Sequence, residues 1–511
     1  MKRLITVFGC FFLSGLSFGV YAQKSSLMGE LKPGQYTTGF RLVEKLDKSR
    51  YYPAPEDKTM NTRLVRIYTW YPALKSGRPA LRFEKYVRMA AADFGLIAET
   101  VHAKWNPTPL AKGLDHERLN ALLNNQTSAV PDVDPAEGVF PLVVFGQGLY
   151  YEFPLSHLIL CEYLASHGYV VATCPLIGNH CRLVNLNAED LETEVRDLEF
   201  VIAYMRTQPY VHPERLGIIG YDLGGMAGLV LSMRNPDVDA FLSLDAGILF
   251  GHFSGLPNSH PNYHEDRFTI PWMHITQSRF IKEFRDEQKI PSLIDRKKYS
   301  DSYLVPVPTT NHGAFSSYAM FGIHNAVPGY WGPIKNELQP IDEAICRTAL
   351  IFFNAYLKKD SSELLKLHNI AHNEHKNNEI LEIEYSEGQQ PPPSKSDLIH
   401  LIIQRGIVKA KPFIEDVRTA YPDSMLFDEN VLNWLGYHFL YWWGREEEAI
   451  EVFELNVSLF PESANTYDSL GEAYMILGDQ EKAIKNYRRS LKLNPENQNA
   501  RRMLEQVQKQ D

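Results

Sequence analysis

The sequence predicts an α/β domain with a mostly parallel central sheet flanked by helices, followed by an all-α domain of helical repeats. Two observations lead to this prediction. From about residue 34 to residue 355, short β-branched apolar runs alternate with longer helical patterns, which is typical of α/β proteins. Beyond residue 396, small, aromatic and proline positions recur 34 residues apart, and this is the period of a two-helix repeat.

The first 22 residues have the pattern of a secretory signal peptide. The basic start Met1-Lys2-Arg3 precedes an apolar run from Leu4 to Val20, and the small residues before position 23 fit cleavage after Ala22. We therefore expect residues 1–22 to be removed and the mature chain to be secreted or periplasmic. The alternatives are a retained membrane anchor and a lipoprotein site at Cys10, before which the apolar run is short.

Composition excludes several classes of protein. With 52 Lys+Arg against 62 Asp+Glu and a formal charge of -10, the chain lacks the basic surface of nucleic-acid binders. No segment after the signal peptide reaches the roughly 18–20 apolar residues of a spanning helix. Five cysteines without a Cys-x-x-Cys pair indicate neither a disulfide scaffold nor a zinc site, and we expect no metal or cofactor. Cys174 and Cys181 either form a disulfide or remain buried free thiols.

The α/β domain is predicted to span residues 23–360. Its strand candidates are Leu64–Trp70, Pro141–Phe145, Val170–Thr173, Leu216–Gly220, Ala240–Leu244 and Trp272–Thr276. The runs after Pro141 lack polar alternation, as central parallel strands covered on both faces do. A helical, polar insertion between Phe83 and Val139 interrupts the strands, and it either covers the ligand-bearing edge of the sheet or decorates its rim.

Residues 361–396 are predicted to form a linker, because they are charged, rich in His and Asn, and include Pro391-Pro392-Pro393. Residues 397–511 contain the repeats. The recurring positions are Ala449, Phe453 and Pro461, then Ala483, Tyr487 and Pro495, with Leu470-Gly471 and Tyr474 in the later unit and Ala410 and Pro422 as a weaker copy.

This pattern resembles the tetratricopeptide repeat, two helices per unit. The resemblance implies a protein or peptide partner, packing on the α/β domain, or pairing of protomers. We interpret Tyr441-Trp442-Trp443 as core packing in this domain, with a ligand cage as the alternative.

A strand–turn–helix segment carries the candidate chemistry. The strand Leu216–Ile219 runs into Gly220-Tyr221-Asp222-Leu223-Gly224, and a helix follows from Met226. Small residues two before and two after a central polar residue describe a nucleophile elbow. The central residue of that motif is Ser, whereas here it is Asp222. Because Asp tolerates a positive φ at modest cost, the turn should survive the exchange.

Other parts of a catalytic site follow in the expected order. Asp245 closes the strand Ala240–Leu244, from where a carboxylate can orient a histidine. His312 follows the last predicted strand, where a general base would lie, and the order nucleophile, acid, His is that of the α/β-hydrolase fold. The N–H groups of Leu149, after an early strand, and Leu223, just past the elbow, are the candidate oxyanion donors.

Together these segments resemble the platelet-activating-factor acetylhydrolase and dienelactone hydrolase branch of the α/β-hydrolases. The matching segments are Tyr36-Thr37-Thr38-Gly39, Trp70-Tyr71-Pro72-Ala73, Phe140–Phe145, Leu164–Ala172 and Leu244-Asp245-Ala246. The resemblance implies hydrolysis of small acyl esters, with position 222 as nucleophile, Asp245 as acid, His312 as base, and Leu149 and Leu223 as oxyanion donors. The chain departs from the family at Asp222 and at Gln147, where the family usually has His.

Three mechanisms therefore compete. Asp222 could displace a leaving group at carbon, as in haloalkane dehalogenases and epoxide hydrolases, although Leu223 stands where those enzymes carry Trp. The chain could instead be a catalytically silent pseudoenzyme whose pocket and repeats serve binding. In the third mechanism, His312 or Asp222 activates water for residual ester hydrolysis, or the Asp was introduced into an authentic esterase.

Overall fold

The computed structural model of the protein describes residues 25–53, 60–94, 116–149, 154–179, 183–251, 255–308, 310–318, 320–321, 338–372, 381–390, 393, 395–420 and 429–508. The predicted signal peptide, residues 1–22, and Cys181 lie outside these ranges, while Cys174 is buried. Within the ranges, no helix has both the length and the apolar character needed to cross a membrane. The chain divides into two compact units, Met1–Gln389 and Gln390–Asp511.

Ten strands of the described residues form one mixed sheet in the first unit. They are β1 (Thr37–Pro53), β2 (Met60–Ala73), β3 (Ala129–Pro131), β4 (Phe140–Gly146), β5 (Val170–Thr173), β6 (Val211–Tyr221), β7 (Ala240–Leu244), β8 (Trp272–Gln277), β9 (Ser302–Val307) and β10 (Glu384–Ser386). The strand order is β10-β9-β8-β7-β6-β4-β5-β2-β1-β3. The six strands from β9 to β5 in this order are parallel, and each of the six predicted strands lies within an observed one.

The central strands are buried along their whole length, which explains the absence of polar alternation. Every residue of β4, β5, β7 and β8 is buried, as parallel strands covered on both faces must be. Their carboxyl ends share one edge, because Gly146 pairs with Gly220, and Tyr221 pairs with Leu244. This edge carries the candidate site.

Helices cover both faces of the sheet and build the second unit. In the described chain they are α1 (Phe83–Phe94), α2 (His116–Asn124), α3 (Leu158–Ser166), α4 (Ala188–Arg206), α5 (Leu223–Arg234), α6 (Ser278–Phe280), α7 (Leu293–Arg296), α8 (Gln339–Tyr356), α9 (Ser361–His372), α10 (Lys395–Arg405), α11 (Ile407–Ala420), α12 (Glu429–Tyr437), α13 (Glu446–Leu459), α14 (Ala464–Ile476), α15 (Gln480–Leu493) and α16 (Gln498–Gln508). The apolar residues of α3 and α8 belong to one core cluster, and those of α4 and α5 to a second.

The insertion between Phe83 and Val139 contributes α1, α2 and β3. β3 pairs with β1 and is the outermost strand at this end of the sheet, farthest from the site. On α1, the Tyr86 hydroxyl accepts a hydrogen bond from Trp70 Nε1 at 3.0 Å. The described part of the insertion therefore extends the rim of the sheet, and residues 95–115 lie outside the described ranges.

The predicted linker, residues 361–396, differs from the structure. Ser361–His372 forms α9, and Glu384–Ser386 forms β10, which pairs antiparallel with β9 at the edge of the sheet. The first unit therefore continues to Gln389. The charged composition concealed these elements, because this segment contributes only a few buried apolar side chains, among them Leu367 in α9 and Ile383 just before β10.

The second unit is a row of helices, α10 to α16, with one apolar core. The recurring small and aromatic positions found in the sequence are buried in it, including Ala449, Phe453, Ala483 and Tyr487. A Cβ at Gly471 would lie 2.9 Å from the Tyr487 ring, so the repeat needs its small residue where two helices approach.

The prediction that Tyr441-Trp442-Trp443 packs in the core is wrong, because all three side chains are exposed. Residues His438–Trp442 form a π-helical turn at the end of α12. A π-helix is wider than the α-helix, and the periodicity of an ordinary amphipathic helix does not apply to it. Phe439 and Leu440 take the buried positions of the turn instead.

Candidate active site

The turn between β6 and α5 has the geometry of a nucleophile elbow. Asp222, the one residue between them, has φ 51° and ψ −116°, a conformation outside the usual regions for a non-glycine residue. Its N–H donates to the Leu244 carbonyl at 3.2 Å, and its own carbonyl accepts from Gly225 N–H at 3.1 Å. A Cβ at Gly220 would lie 2.4 Å from the Gly224 carbonyl oxygen, so these two positions must be small for the turn to close.

One oxygen of the Asp222 carboxylate faces two of the predicted site residues. Leu149 N–H donates to Asp222 Oδ2 at 3.0 Å. His312 Nε2 lies 4.0 Å from the same oxygen, beyond hydrogen-bonding distance. The carboxylate therefore occupies one oxyanion donor itself, while the imidazole stands a short distance away.

Asp245 holds the imidazole from the other side. Its Oδ2 lies 2.6 Å from His312 Nδ1, and its carboxylate also accepts from Thr276 Oγ1 at 2.8 Å and from Gln277 N–H at 3.1 Å. Burial acts to raise the pKa of Asp245, but the hydrogen bond and charge of His312, together with Gln277 and Thr276, bring it below its usual range. A charged carboxylate thus fixes the orientation of the ring.

The described structure brings Asp222, Asp245, His312 and Leu149 together, as the sequence predicts. Leu223, the other predicted donor, begins α5, so its N–H has no acceptor within the helix. Gln147, the second departure from the family, is buried, and its Nε2 donates to Thr173 Oγ1 at 2.7 Å. The backbone carbonyl of Gln147 accepts from Gly224 N–H at 2.9 Å, so this residue connects the end of β4 to the elbow.

Sequence reasoning missed the residues that support the histidine. Gln277 Nε2 donates to Asp245 Oδ2 at 2.6 Å. The Tyr221 ring stacks on His312 with centroids 4.5 Å apart, and its hydroxyl donates to the His312 carbonyl at 3.1 Å. His157 contacts the Tyr221 ring edge-on at 4.8 Å, and burial, with the charge of His312, lowers the pKa of His157 to about 3.

Two of these residues had a weak sequence signal. Gln277 is a polar residue directly after the predicted strand Trp272–Thr276, and the structure makes it the last residue of β8. Tyr221 directly precedes the elbow residue. Nothing in the sequence around His157 distinguishes it from a core histidine, and only the fold brings it beneath the site.

A parallel sheet covered by helices, an elbow after β6, and an acid–histidine pair at the strand ends define an α/β-hydrolase domain. Residues 154–246, which include Asp222 and Asp245, match the model of the dienelactone hydrolase family. Residues 464–497 match the model of the tetratricopeptide repeat. The first unit is thus similar to the dienelactone hydrolase family over residues 154–246, and the second unit is similar to the tetratricopeptide repeat over residues 464–497.

One of the solved structures that match is the ferulic acid esterase from Streptomyces cinnamoneus. It is 18% identical to this chain, the alignment covers 69% of this chain and 97% of that chain, and the TM-score is 0.48. Comparison with curated proteins gives no match.

Proposed function

We propose that the first unit is a hydrolase in which Asp222 is the covalent nucleophile and His312, held by Asp245, activates the water of a second step. The observation that carries this proposal is the position of the Asp222 carboxylate. One of its oxygens accepts from Leu149 N–H at 3.0 Å and lies 4.0 Å from His312 Nε2, so the carboxylate, the oxyanion donor and the base already face one another.

The chemistry of a carboxylate favours attack on a saturated carbon, as in an alkyl halide or an epoxide. The other oxygen of Asp222 forms a C–O bond while the carbon–halogen or carbon–oxygen bond breaks, and the electron pair of that bond goes to the halogen or oxygen. A halide departs as an anion, whereas the epoxide oxygen stays on the substrate as an alkoxide and takes a proton from water. The product of this step is an ester of Asp222. Leu149 N–H stays on the other carboxylate oxygen throughout, so the observed hydrogen bond is used and not broken.

The second step hydrolyses that ester. His312 Nε2 takes a proton from water, and the hydroxide adds to the carbonyl carbon of the Asp222 ester. The oxyanion then forms on the oxygen held by Leu149 N–H, with Leu223 N–H as the second donor. Collapse of this tetrahedral intermediate breaks the bond between the acyl carbon and the alcohol oxygen, and His312 gives its proton to the departing alcohol. The Asp222 carboxyl group is restored and now contains one oxygen from water.

Hydrolysis of small acyl esters is the second candidate, and the match to the dienelactone hydrolase family favours it. Two features oppose it in the chain as it stands. Attack of Asp222 on an ester would give an anhydride, and the Asp222 carboxylate occupies the Leu149 N–H that a substrate oxygen needs. Water activated by His312 is the route left for ester cleavage. In either case we propose an exported enzyme, from the pattern of residues 1–22.

The test of the proposal is the fate of the oxygen atoms and of the ester intermediate. We expect His312→Ala, mixed with a short bromoalkane or an aryl epoxide, to accumulate an alkyl ester on Asp222, because its hydrolysis slows by about 10²- to 10⁴-fold. Mass spectrometry of the peptide that contains Asp222 measures it, and Asp222→Asn is the matched control without a nucleophile. In ¹⁸O-water, a single turnover of the wild-type chain should label Asp222 and not the product alcohol.

The other outcomes identify the competing functions. If ¹⁸O enters the product alcohol in a single turnover, a covalent ester is contradicted, and direct attack of water on the substrate is the remaining mechanism. Turnover of p-nitrophenyl acetate but of no halide or epoxide, lost in His312→Ala, would establish ester hydrolysis. If the wild-type chain turns over no halide, epoxide or ester, both hydrolytic functions are contradicted and a binding function is favoured.

A further inference from the structure

The second unit has a group of aromatic side chains at its surface, which we call the aromatic face: the half-buried His438 and the exposed Trp434, Tyr441, Trp442 and Trp443. The exposed fractions are 49% for Trp434, 57% for Tyr441, 77% for Trp442 and 42% for Trp443. Their rings are arranged around His438, whose centroid lies 3.9 Å from that of Trp434 and 6.4 Å from that of Trp442. A contiguous apolar patch of this kind marks an interaction site.

Local contacts hold the aromatic face in place. The Tyr441 hydroxyl donates to Glu472 Oε1 at 2.5 Å, and the Tyr441 ring stacks on Tyr437 with centroids 5.9 Å apart. Trp443 meets the buried Phe439 edge-on at 5.1 Å. The rings are therefore positioned before any partner binds, which lowers the entropy cost of association.

The unpaired charges beside the aromatic face are negative, because the nearby Arg445 forms an ion pair with Glu448. α13 begins three residues after Trp443, and its first residues, Glu446 and Glu447, are exposed. Neither glutamate has an ion-pair partner in the described part of the chain. Indole faces next to carboxylates favour a cationic partner, because guanidinium groups stack on aromatic rings and pair with carboxylates.

A surface of the opposite character lies on the last two helices of the same unit. This basic face consists of exposed side chains on α15 and α16, namely Lys485, Arg488, Lys492, Arg501 and Arg502. None of them forms an ion pair with a carboxylate of the described residues. Arg501 and Arg502 also border an open depression of about 320 Å³, together with Gln498, Asn499 and Glu505.

The two faces lie on different helices of the row. From α12 to α16, each helix packs on the next in chain order, so α13 and α14 lie between the helix that ends in the aromatic face and the two helices that carry the basic face. The main residues of both faces are exposed, so neither face covers the other within one unit, and the two are complementary in charge.

We propose that the aromatic face of one copy of the chain docks on the basic face of a second copy, head to tail. Trp442 lies against the depression beside Arg501 and Arg502, whose guanidinium groups stack on the indole, and Glu446 and Glu447 pair with the surrounding cations. Because the two patches differ, the contact is heterologous. It therefore leaves one free patch at each end of a dimer and continues to a ring or an open chain.

Sedimentation of the full-length chain over a range of concentrations tests this proposal. We expect assemblies larger than the monomer that dissociate on dilution and at high salt. Trp442→Ala and the double variant Arg501→Glu/Arg502→Glu should each raise the dissociation constant at least about tenfold. The decisive result is the mixture of these two variants. Each alone lacks one patch, yet together they retain one intact contact, so the mixture should form a dimer and nothing larger.

Lys32→Glu/Lys75→Glu changes the charge equally on exposed residues of the first unit and should associate like the wild-type chain, and all variants should keep the wild-type melting temperature. A wild-type chain that stays monomeric at every concentration overturns the proposal and assigns the aromatic face to another partner. Assembly that resists all these substitutions also overturns it, as does a mixture that stays monomeric.

Discussion

Asp222→Ser is expected to create an esterase, raising kcat/KM for p-nitrophenyl acetate by about 10³-fold or more over the wild-type chain. The substitution removes the carboxylate that now accepts from Leu149 N–H and so gives this donor to the oxyanion of the substrate. It also provides a hydroxyl beside His312, which Asp245 already holds at 2.6 Å. Loss of the nucleophile or the base of such a triad costs about 10⁶-fold in kcat. Restoring the missing nucleophile is therefore expected to raise the rate by a large factor.

Matched variants separate this gain from a simple change of charge. Asp222→Ala removes the same negative charge without supplying a nucleophile, and Asp222→Ser/His312→Ala supplies the nucleophile without its base. We expect both to stay near the wild-type rate, with a burst of p-nitrophenol only in the single Asp222→Ser variant. An Asp222→Ser variant no faster than Asp222→Ala would mean that the residues around position 222 do not form a working acyl-transfer site.

Most of the site was predictable because it depends on short-range sequence features. Glycines on either side of residue 222, between an apolar strand and a helix, predict the elbow, and the order of Asp245 and His312 follows the order of strands. The supporting Gln277 was not predictable, because its contact with Asp245 depends on the pairing of β7 with β8. Without knowledge of that pairing, the polar character of Gln277 does not indicate which residue it contacts.

The second unit shows a different limit of the sequence. Small and aromatic positions 34 residues apart predict the repeat, since each reports a close approach of neighbouring helices. Exposure of Tyr441-Trp442-Trp443 was not predictable, because the sequence gives no sign of the π-helical turn His438–Trp442. Apolar character alone assigns such residues to the core, whereas the local helix geometry decides which side chains reach it.

Gly224→Ala is expected to be the most destabilising single substitution at the site, lowering the free energy of unfolding of the first unit by more than about 4 kcal/mol or preventing its folding. An added Cβ would lie 2.1 Å from the Gly146 carbonyl carbon, 2.2 Å from its oxygen and 2.6 Å from Gln147 N. All three atoms are backbone atoms of the buried segment at the end of β4, so no side-chain rotation can relieve the clash.

Urea unfolding measures this effect, with Gly77→Ala as the matched control. A Cβ at Gly77 meets no atom within 4 Å, so that variant should differ from the wild-type chain by less than about 1 kcal/mol. A Gly224→Ala variant as stable as Gly77→Ala would contradict the close approach of α5 to β4. That approach lets Gly224 N–H donate to the Gln147 carbonyl at 2.9 Å, two residues before Leu149. The contact that Gly224 permits therefore stabilises the fold and also places the Leu149 N–H against Asp222, so the same glycine serves stability and the site.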